Sequence, residues 1–452
     1  MKRSTFLNLG AAMSSAILLP KNTQATPIST KPAQIIVLGA GFSGLSAALK
    51  LFDNKMDFVV LESRNRVGGR VFTHLLDEAH DLRVEFGAEW VGQSHTEVQK
   101  LCQRFDIELF NNQLETDLLF RGSYQPSNQW GFTEEWKQRF EQILKGFGQL
   151  SEAQKRQLDR MDWWRFLVNS GIPDNDLFLR ELLDSTDFGE SIRHVSGFSA
   201  LSEYAESSKK NEMDFKMKGG NGILAQKIAE HIGLDKVKLG HHVETIEQKN
   251  GKVKVTCTNG GVFEADRLIC SLPTFSLSKI KFIPDLPAEK KEAINALQYA
   301  RINKHAVLFS ERFWGREDFD LITDTSAHYI YHATKNQVAK AGALISYSIG
   351  EKADVFGWNN DGFCKQMILD SLKPIAPAET YFRKGVNYYW GTDRYSKGSY
   401  AVYGKGQWFT LRPILAQKFL NIHFAGEHIA DWQGFMEGAI VTGAEAAEAA
   451  LA

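Results

Sequence analysis

Three glycines, Gly39, Gly41 and Gly44, follow the apolar run "QIIVL" in G-x-G-x-x-G spacing and open a stretch with apolar and alanine positions at helical period. The first glycine permits a tight turn, the second admits a pyrophosphate, and the third lets helix and strand pack closely. The phosphates then meet a helix N-terminus, where backbone N–H groups favour negative charge. Eighteen residues past Gly44, Glu62 closes the next apolar run, "DFVVLE". A carboxylate there accepts hydrogen bonds from ribose hydroxyls and repels a 2′-phosphate, which selects an adenosine dinucleotide such as FAD or NAD. Directly after it, "ESRNRVGGR" sets Arg64, Arg66 and Arg70 around Gly68 and Gly69. Guanidinium groups can pair with pyrophosphate bidentately, and the glycines let backbone approach a flat ring. The chain shows no Ser-His-Asp order, no H-E-x-x-H and no paired carboxylates in a shared context, which is consistent with chemistry carried by a cofactor.

The run E-x-R-x-R-x-G-G-R resembles the flavin-dependent amine oxidase family of monoamine, polyamine and L-amino acid oxidases, and the resemblance extends over nearly all the chain after its first residues. It implies FAD, held by Gly39, Gly41, Gly44, Glu62, Arg64, Gly69 and Arg70, with the backbone of Val243 against the adenine. It also gives Lys304 a role, because the family has a lysine ten residues before the tryptophan of an F-W pair and Trp314 stands ten residues on. That lysine would reach flavin N5 through a water; by residue type alone it is a lysine at a strand end. "NYYWGTDRYSKGSYAVYG" matches the family's tryptophan, acid and G-x-Y, with Trp390 on the cofactor. Some members bind flavin covalently through a cysteine where this chain has Ser399, so FAD should be noncovalent. Tyr400 would be one wall of an aromatic cage in front of the flavin. In the closing "FAGEHIADWQGFMEGAI", Gly426 and Glu427 would meet the flavin's ribityl or phosphate region. Phe435, often tyrosine in the family, would be the second wall, and Met436 opens a helix whose amides can face the flavin carbonyl edge. Trp90 reads equally as pocket wall and as ordinary core.

The implied reaction turns a primary or secondary amine into an imine, which water hydrolyses, while O2 becomes hydrogen peroxide. Many L-amino acid oxidases place an arginine two or three residues after the glycine that matches Gly87; here those places hold Glu89 and Trp90. That favours an amine without a carboxylate, and leaves open an amino acid held by Arg121, Arg193, Arg316 or Arg383. Glu89 could suit a second amino group or be a solvated carboxylate. Related desaturases, porphyrinogen oxidases and a carrier that binds FAD without turnover remain as alternatives.

A chain of 452 residues can carry these residues on two subdomains with ample core. The fold class expected is α/β: a Rossmann-like FAD-binding domain interleaved with a mixed α+β substrate-binding domain. Expected boundaries are FAD-binding over 33–95, 215–280 and 386–452, and substrate-binding over 96–214, where the pattern is helical, and 281–385. The Trp163–Trp164 pair fits a helix packing face. Charged residues at 24% and a net charge of -1 give no footprint for nucleic acid, so the partners expected are a small amine or amino acid and O2, with no integral membrane domain and a homodimer left open. The four cysteines lack metal or disulfide spacing and read as buried hydrophobes. At the start, Lys2 and Arg3 precede a short apolar run from Phe6 to Leu19, then "TQAT". Residues 1–26 read as an export signal to the periplasm; "KRSTFLNLG" looks like a degraded twin-arginine signal with Ser4 in place of the second arginine, and an ordinary secretory signal or an uncleaved anchor stays open.

Overall fold

The computed structural model describes residues 34–208 and 212–452; the export segment expected over 1–26 lies outside them. Five parallel strands form the first sheet in the order Ile422–Phe424, Arg267–Cys270, Ile35–Leu38, Phe58–Leu61 and Val237–Lys238. The two central runs, IIVL and FVVL, are buried throughout, which is why they read as continuous apolar runs with no alternation. Ile35, Val37 and Val60 face a core shared with helices Phe42–Asp53, Gly222–Ile232 and Met436–Leu451. Ile36, Leu38, Val59 and Leu61 face the opposite way, onto a four-stranded sheet that includes Val243–Lys249 and Lys252–Cys257.

The first and last helices of this layer pack closely. A Cβ on Gly443 would lie 2.0 Å from the carbonyl oxygen of Ser43, and Ser46 Oγ donates to the Ile440 carbonyl at 2.7 Å. The residues just before each helix, Gly41 and Phe435, offer no side-chain cap. Both N-termini therefore keep backbone N–H groups available to a ligand.

The second subdomain is a seven-stranded sheet in the order Phe382–Tyr389, Ile302–Phe309, Gly342–Ile349, Tyr329–His332, Phe319–Thr323, Glu115–Phe120 and Ser123–Gln125. Its core takes in helices Glu134–Gly146, Trp163–Asn169, Asp174–Phe188 and Gly197–Glu206, with Trp163 fully buried in it. The architecture is α/β with an interleaved mixed α+β domain, as the sequence implies.

Several elements sit differently from the sequence boundaries. Residues 96–214 are not purely helical: Glu115–Phe120 pairs in parallel with Phe319–Thr323, about two hundred positions away, and such pairing leaves no local signature. Helix Thr96–Arg104 buries Val98 and Cys102 in the core of the first sheet. Lys281–Ile283 pairs with the strand of Val243, and Phe382–Tyr389 runs across the 385/386 boundary as one strand beside Ile302–Phe309. All four cysteines are free and buried. No helix among the described residues is long and apolar enough to cross a membrane.

Candidate active site

A cavity of about 960 Å³ runs between the two subdomains, from the glycine turn to the helices over the seven-stranded sheet. Its floor at the first strand is built from backbone. Gly39 has a φ of +95°, and Gly41 forms an isolated bridge with Gly68. A Cβ on Gly69 would stand 3.1 Å from Gly41 Cα, so the missing side chain lets the two turns of the floor lie against each other, and both glycines line the cavity. Gly44 is not on the wall: a Cβ there would lie 1.9 Å from the Gly39 carbonyl, and its task is helix–strand packing. Glu62 is buried, and its two oxygens accept from the Ala40 and Arg64 amides, each at 2.7 Å; burial pushes its carboxyl up. Val243 is buried on its strand opposite Cys257, away from the cavity lining.

The arginines hold protein. Arg64 makes a two-pronged pair with Asp393 at 2.9 and 2.7 Å. Arg66 donates to the carbonyls of Val67, Gly69 and Val71, which fixes the glycine loop. Arg70 pairs with Glu427 at 2.6 Å. Glu427 also accepts from the amide of Gly434 at 2.9 Å, so one carboxylate ties the arginine loop to the turn before the closing helix. Arg64, Arg70, Gly426, Glu427 and Met436 all line the cavity. Trp390 lines it too, its indole N–H donating to the Phe86 carbonyl at 2.7 Å.

Lys304 lies on the fully buried strand Ile302–Phe309 and reaches the cavity wall. Its ammonium donates to the carbonyls of Glu85 and Gly87 at 3.1 and 2.9 Å and to Glu89 Oε2 at 3.0 Å. Burial lowers its pKa and the nearby carboxylates oppose that. Glu89 is 2% exposed, so it is not a solvated carboxylate. Nor is it free for a substrate amine, since Lys216 donates to its Oε1 at 2.8 Å and Tyr331 donates to its Oε2. Trp90 lines the cavity beside Lys304, with the ammonium 5.3 Å from its ring and its buried indole N–H unpartnered.

Tyr400 and Phe435 open onto the same cavity. The Tyr400 hydroxyl donates to the Asp187 carbonyl at 3.0 Å and shares a 2.9 Å hydrogen bond with Tyr347. A Cβ on Gly434, which has a φ of +85°, would be 3.5 Å from the Tyr400 ring, so the turn that delivers Phe435 lies against its counterpart. Phe435 rests on His95 and Trp432, with ring centroids 5.0 and 5.6 Å away. His95 is fully buried, accepts from the Gly92 amide at 2.8 Å, and turns Nε2 towards Glu212 at 3.4 Å; burial lowers its pKa to about 4. Lys216, Tyr331, Tyr347, His95 and Asp187 went unnoticed in the sequence because each meets its partner only through the tertiary fold. Arg121, Arg193, Arg316 and Arg383 do not line the cavity; among the guanidiniums outside the glycine loop, Arg180 does.

The family model for flavin containing amine oxidoreductase matches residues 42–451. The chain belongs to that family. Polyamine oxidase 3 of Oryza sativa subsp. japonica is 28% identical over 436 residues, covering 91% of this chain and 88% of its own. Amine oxidase [flavin-containing] A of Canis lupus familiaris is 24% identical over 470 residues, covering 95% and 86%. Cyclohexylamine oxidase from Brevibacterium oxydans IH-35A shares the fold with a TM-score of 0.82 at 20% identity, over 93% of this chain and 99% of that one. The geometry of this oxidoreductase fits the flavin that the family implies. The glycine cleft at Gly41 and Gly69, the uncapped helix at Phe42 and the second uncapped helix at Met436 lie along one cavity.

Proposed function

We propose that the protein oxidises a primary or secondary amine to an imine, with noncovalent FAD and with O2 reduced to hydrogen peroxide. The observation that carries this reading is one cavity that joins the glycine floor, Lys304 and the Tyr400–Phe435 pair. The residues lining it would hold FAD, whose ring would supply the acceptor for the two electrons and two protons that separate an amine from its imine and that end on O2 as hydrogen peroxide. Glu62 would face the ribose, and the amides opening helix Phe42–Asp53 would face the pyrophosphate. Tyr400 and Phe435 would hold the amine between them by ring contacts, with the Tyr400 ring fixed through its hydroxyl. Lys304 would place positive charge beside the site of oxygen reduction. Ser399 at the position of the covalent cysteine supports noncovalent binding.

The lining supports an amine over an amino acid. Asp187 and Glu203 line the cavity from helices Asp174–Phe188 and Gly197–Glu206, and burial, together with Asp187, Glu212 and Asp184, pushes the Glu203 carboxyl well up, towards its neutral form. Such a wall offers an amine hydrogen-bond acceptors and gives a substrate carboxylate no cation. One observation favours L-amino acid oxidation as a second reading: Arg180 lines the cavity with its Nε unpartnered. Its guanidinium is nevertheless paired with Asp184 at 3.2 Å and lies 3.8 Å over Phe140. The deciding experiment adds monoamines, diamines, polyamines and L-amino acids to purified protein. The expected outcome is flavin bleaching under nitrogen, recovery in air and peroxide release with amines; activity with amino acids alone would sink the preferred class. Acid precipitation should leave the flavin in the supernatant.

A further inference from the structure

We infer that Glu89, braced by Lys216 and Tyr331, is a positioning residue that holds Lys304 at the cavity wall as a cation. The working unit there is then a lysine–carboxylate–lysine chain. The inference rests on the role proposed for Lys304. Its basis is how the donors and acceptors are shared. Each carboxylate oxygen of Glu89 takes one ammonium, Lys216 at 2.8 Å on Oε1 and Lys304 at 3.0 Å on Oε2. The ammonium groups spend further donors on backbone carbonyls, Lys216 on Ala333 at 3.0 Å and Lys304 on Glu85 and Gly87. All three N–H groups of Lys304 are therefore engaged. To reach a water at a bound ring, Lys304 would exchange a carbonyl bond and keep the stronger charge-assisted bond to Glu89.

Three strands and a loop from distant parts of the chain meet here. Glu89 comes from the loop after Leu82–Glu85, Lys216 from Phe215–Met217, Tyr331 from Tyr329–His332 and Lys304 from Ile302–Phe309. Among the described residues Lys304 reaches the cavity lining and Lys216 does not, so the second lysine sits behind the first. Buried cations of this kind persist only when paired, and a carboxylate can serve two at once. An amide of the same shape cannot, because its NH2 end would face one of the ammonium groups. The other charged and titratable groups around Lys304 are Glu85, which accepts from Thr73 at 2.8 Å and the Asn221 amide at 2.8 Å, and the phenols Tyr331 and Tyr347.

The test uses FAD-loaded protein reduced by dithionite, so that it does not depend on which amine is oxidised. Reoxidation by O2 is followed from pH 6 to 10 for the parent, Glu89→Gln, Lys216→Met and Lys304→Met, with melting temperature measured over the same range. Lys304→Met should slow reoxidation at least tenfold. Glu89→Gln removes the carboxylate that both ammonium groups share and leaves Glu85 as the nearest one, so the pH above which reoxidation slows should fall by a unit or more. Lys216→Met leaves Glu89 to Lys304 alone, and that pH should rise. Burial depresses the pKa of Lys304 and loss of the Glu89 charge would depress it further, so the unfolded chain binds more protons and the melting temperature of Glu89→Gln should climb with pH relative to the parent. Opposite shifts from the two variants support the inference, because a merely structural role would move both the same way. Shifts in the same direction, or none, overturn it. If Glu89→Gln does not fold, Lys216→Met decides: an upward shift supports and any other result overturns. If Lys304→Met reoxidises as fast as the parent, the role of Lys304 falls and the inference with it; absence of amine turnover sinks the proposed function alone.

Discussion

Phe435 shows how one side chain depends on a buried base. Its ring rests on His95 and Trp432, and His95 is fixed by the Gly92 amide on one ring nitrogen and by Glu212 near the other. The benzene ring is therefore presented to the cavity by packing, while the floor that would hold a cofactor is made by other residues. Phe435→Ala should lower kcat/KM for an amine by roughly 10- to 100-fold, corresponding to about 1–3 kcal/mol of lost apolar contact, and leave flavin content unchanged. Steady-state rates and the ratio of flavin to protein absorbance check this; a parallel loss of flavin would show that the ring supports the cofactor floor. Phe435, Tyr400 and Lys304 were pointed to by short strings that resemble the family's, and all three line the cavity. Glu89 was half legible. Its position was readable from "GAEW", but its partners come from residues 216, 304 and 331, and no local pattern announces a pairing across so much chain.

The elements around the glycine turn are legible for the opposite reason: their constraints are local. A strand, a turn that needs glycine, and an apolar helix follow one another within twenty residues. Less local is the closing helix, which completes this layer from the far end of the chain by laying Gly443 on the backbone of Ser43. Backbone cannot yield as a flexible side chain can, so Gly443→Ala should separate two helices that both end at the cavity. The expected cost is on the order of 2–3 kcal/mol of stability, with a matching drop in melting temperature and weaker flavin retention. Helix propensity alone would make this Gly→Ala change stabilising by about 1 kcal/mol, so a variant as stable as the parent or more so would mean that the close approach is not what sets the packing. The strand at Glu115–Phe120 marks where reading by period stops: six residues between helical stretches carry too little alternation, and its parallel partner is Phe319–Thr323.

Across the whole molecule, a charged pair joins two strand ends far apart in sequence that the fold leaves side by side. Arg64 follows the second strand and Asp393 follows Phe382–Tyr389 of the seven-stranded sheet, so their pair ties the cofactor layer to the substrate layer beside the cavity, which Arg64 lines and Asp393 does not. Asp393 also accepts from Tyr388 at 2.9 Å and from the amides of Tyr395 and Ser396 at 3.0 and 2.9 Å. Burial raises its pKa, but the Arg64 guanidinium and these donors outweigh that and hold the carboxyl well below the usual carboxylate range. The sign follows from linkage. Below about pH 4 an unfolded Asp binds a proton that the folded one still refuses. The stabilisation is thus complete above that value and is lost as pH falls through the depressed one. With Asp393 only 8% exposed, the contribution should be on the order of 2 kcal/mol. Asp393→Asn should lower the melting temperature at pH 7 and narrow the gap to the parent as pH falls from 4 to 3. Flavin release should track the same curve, because the pair fixes Arg64, which lines the cavity. A constant gap between parent and variant over that range would place the acid sensitivity elsewhere and reduce Arg64–Asp393 to a local contact.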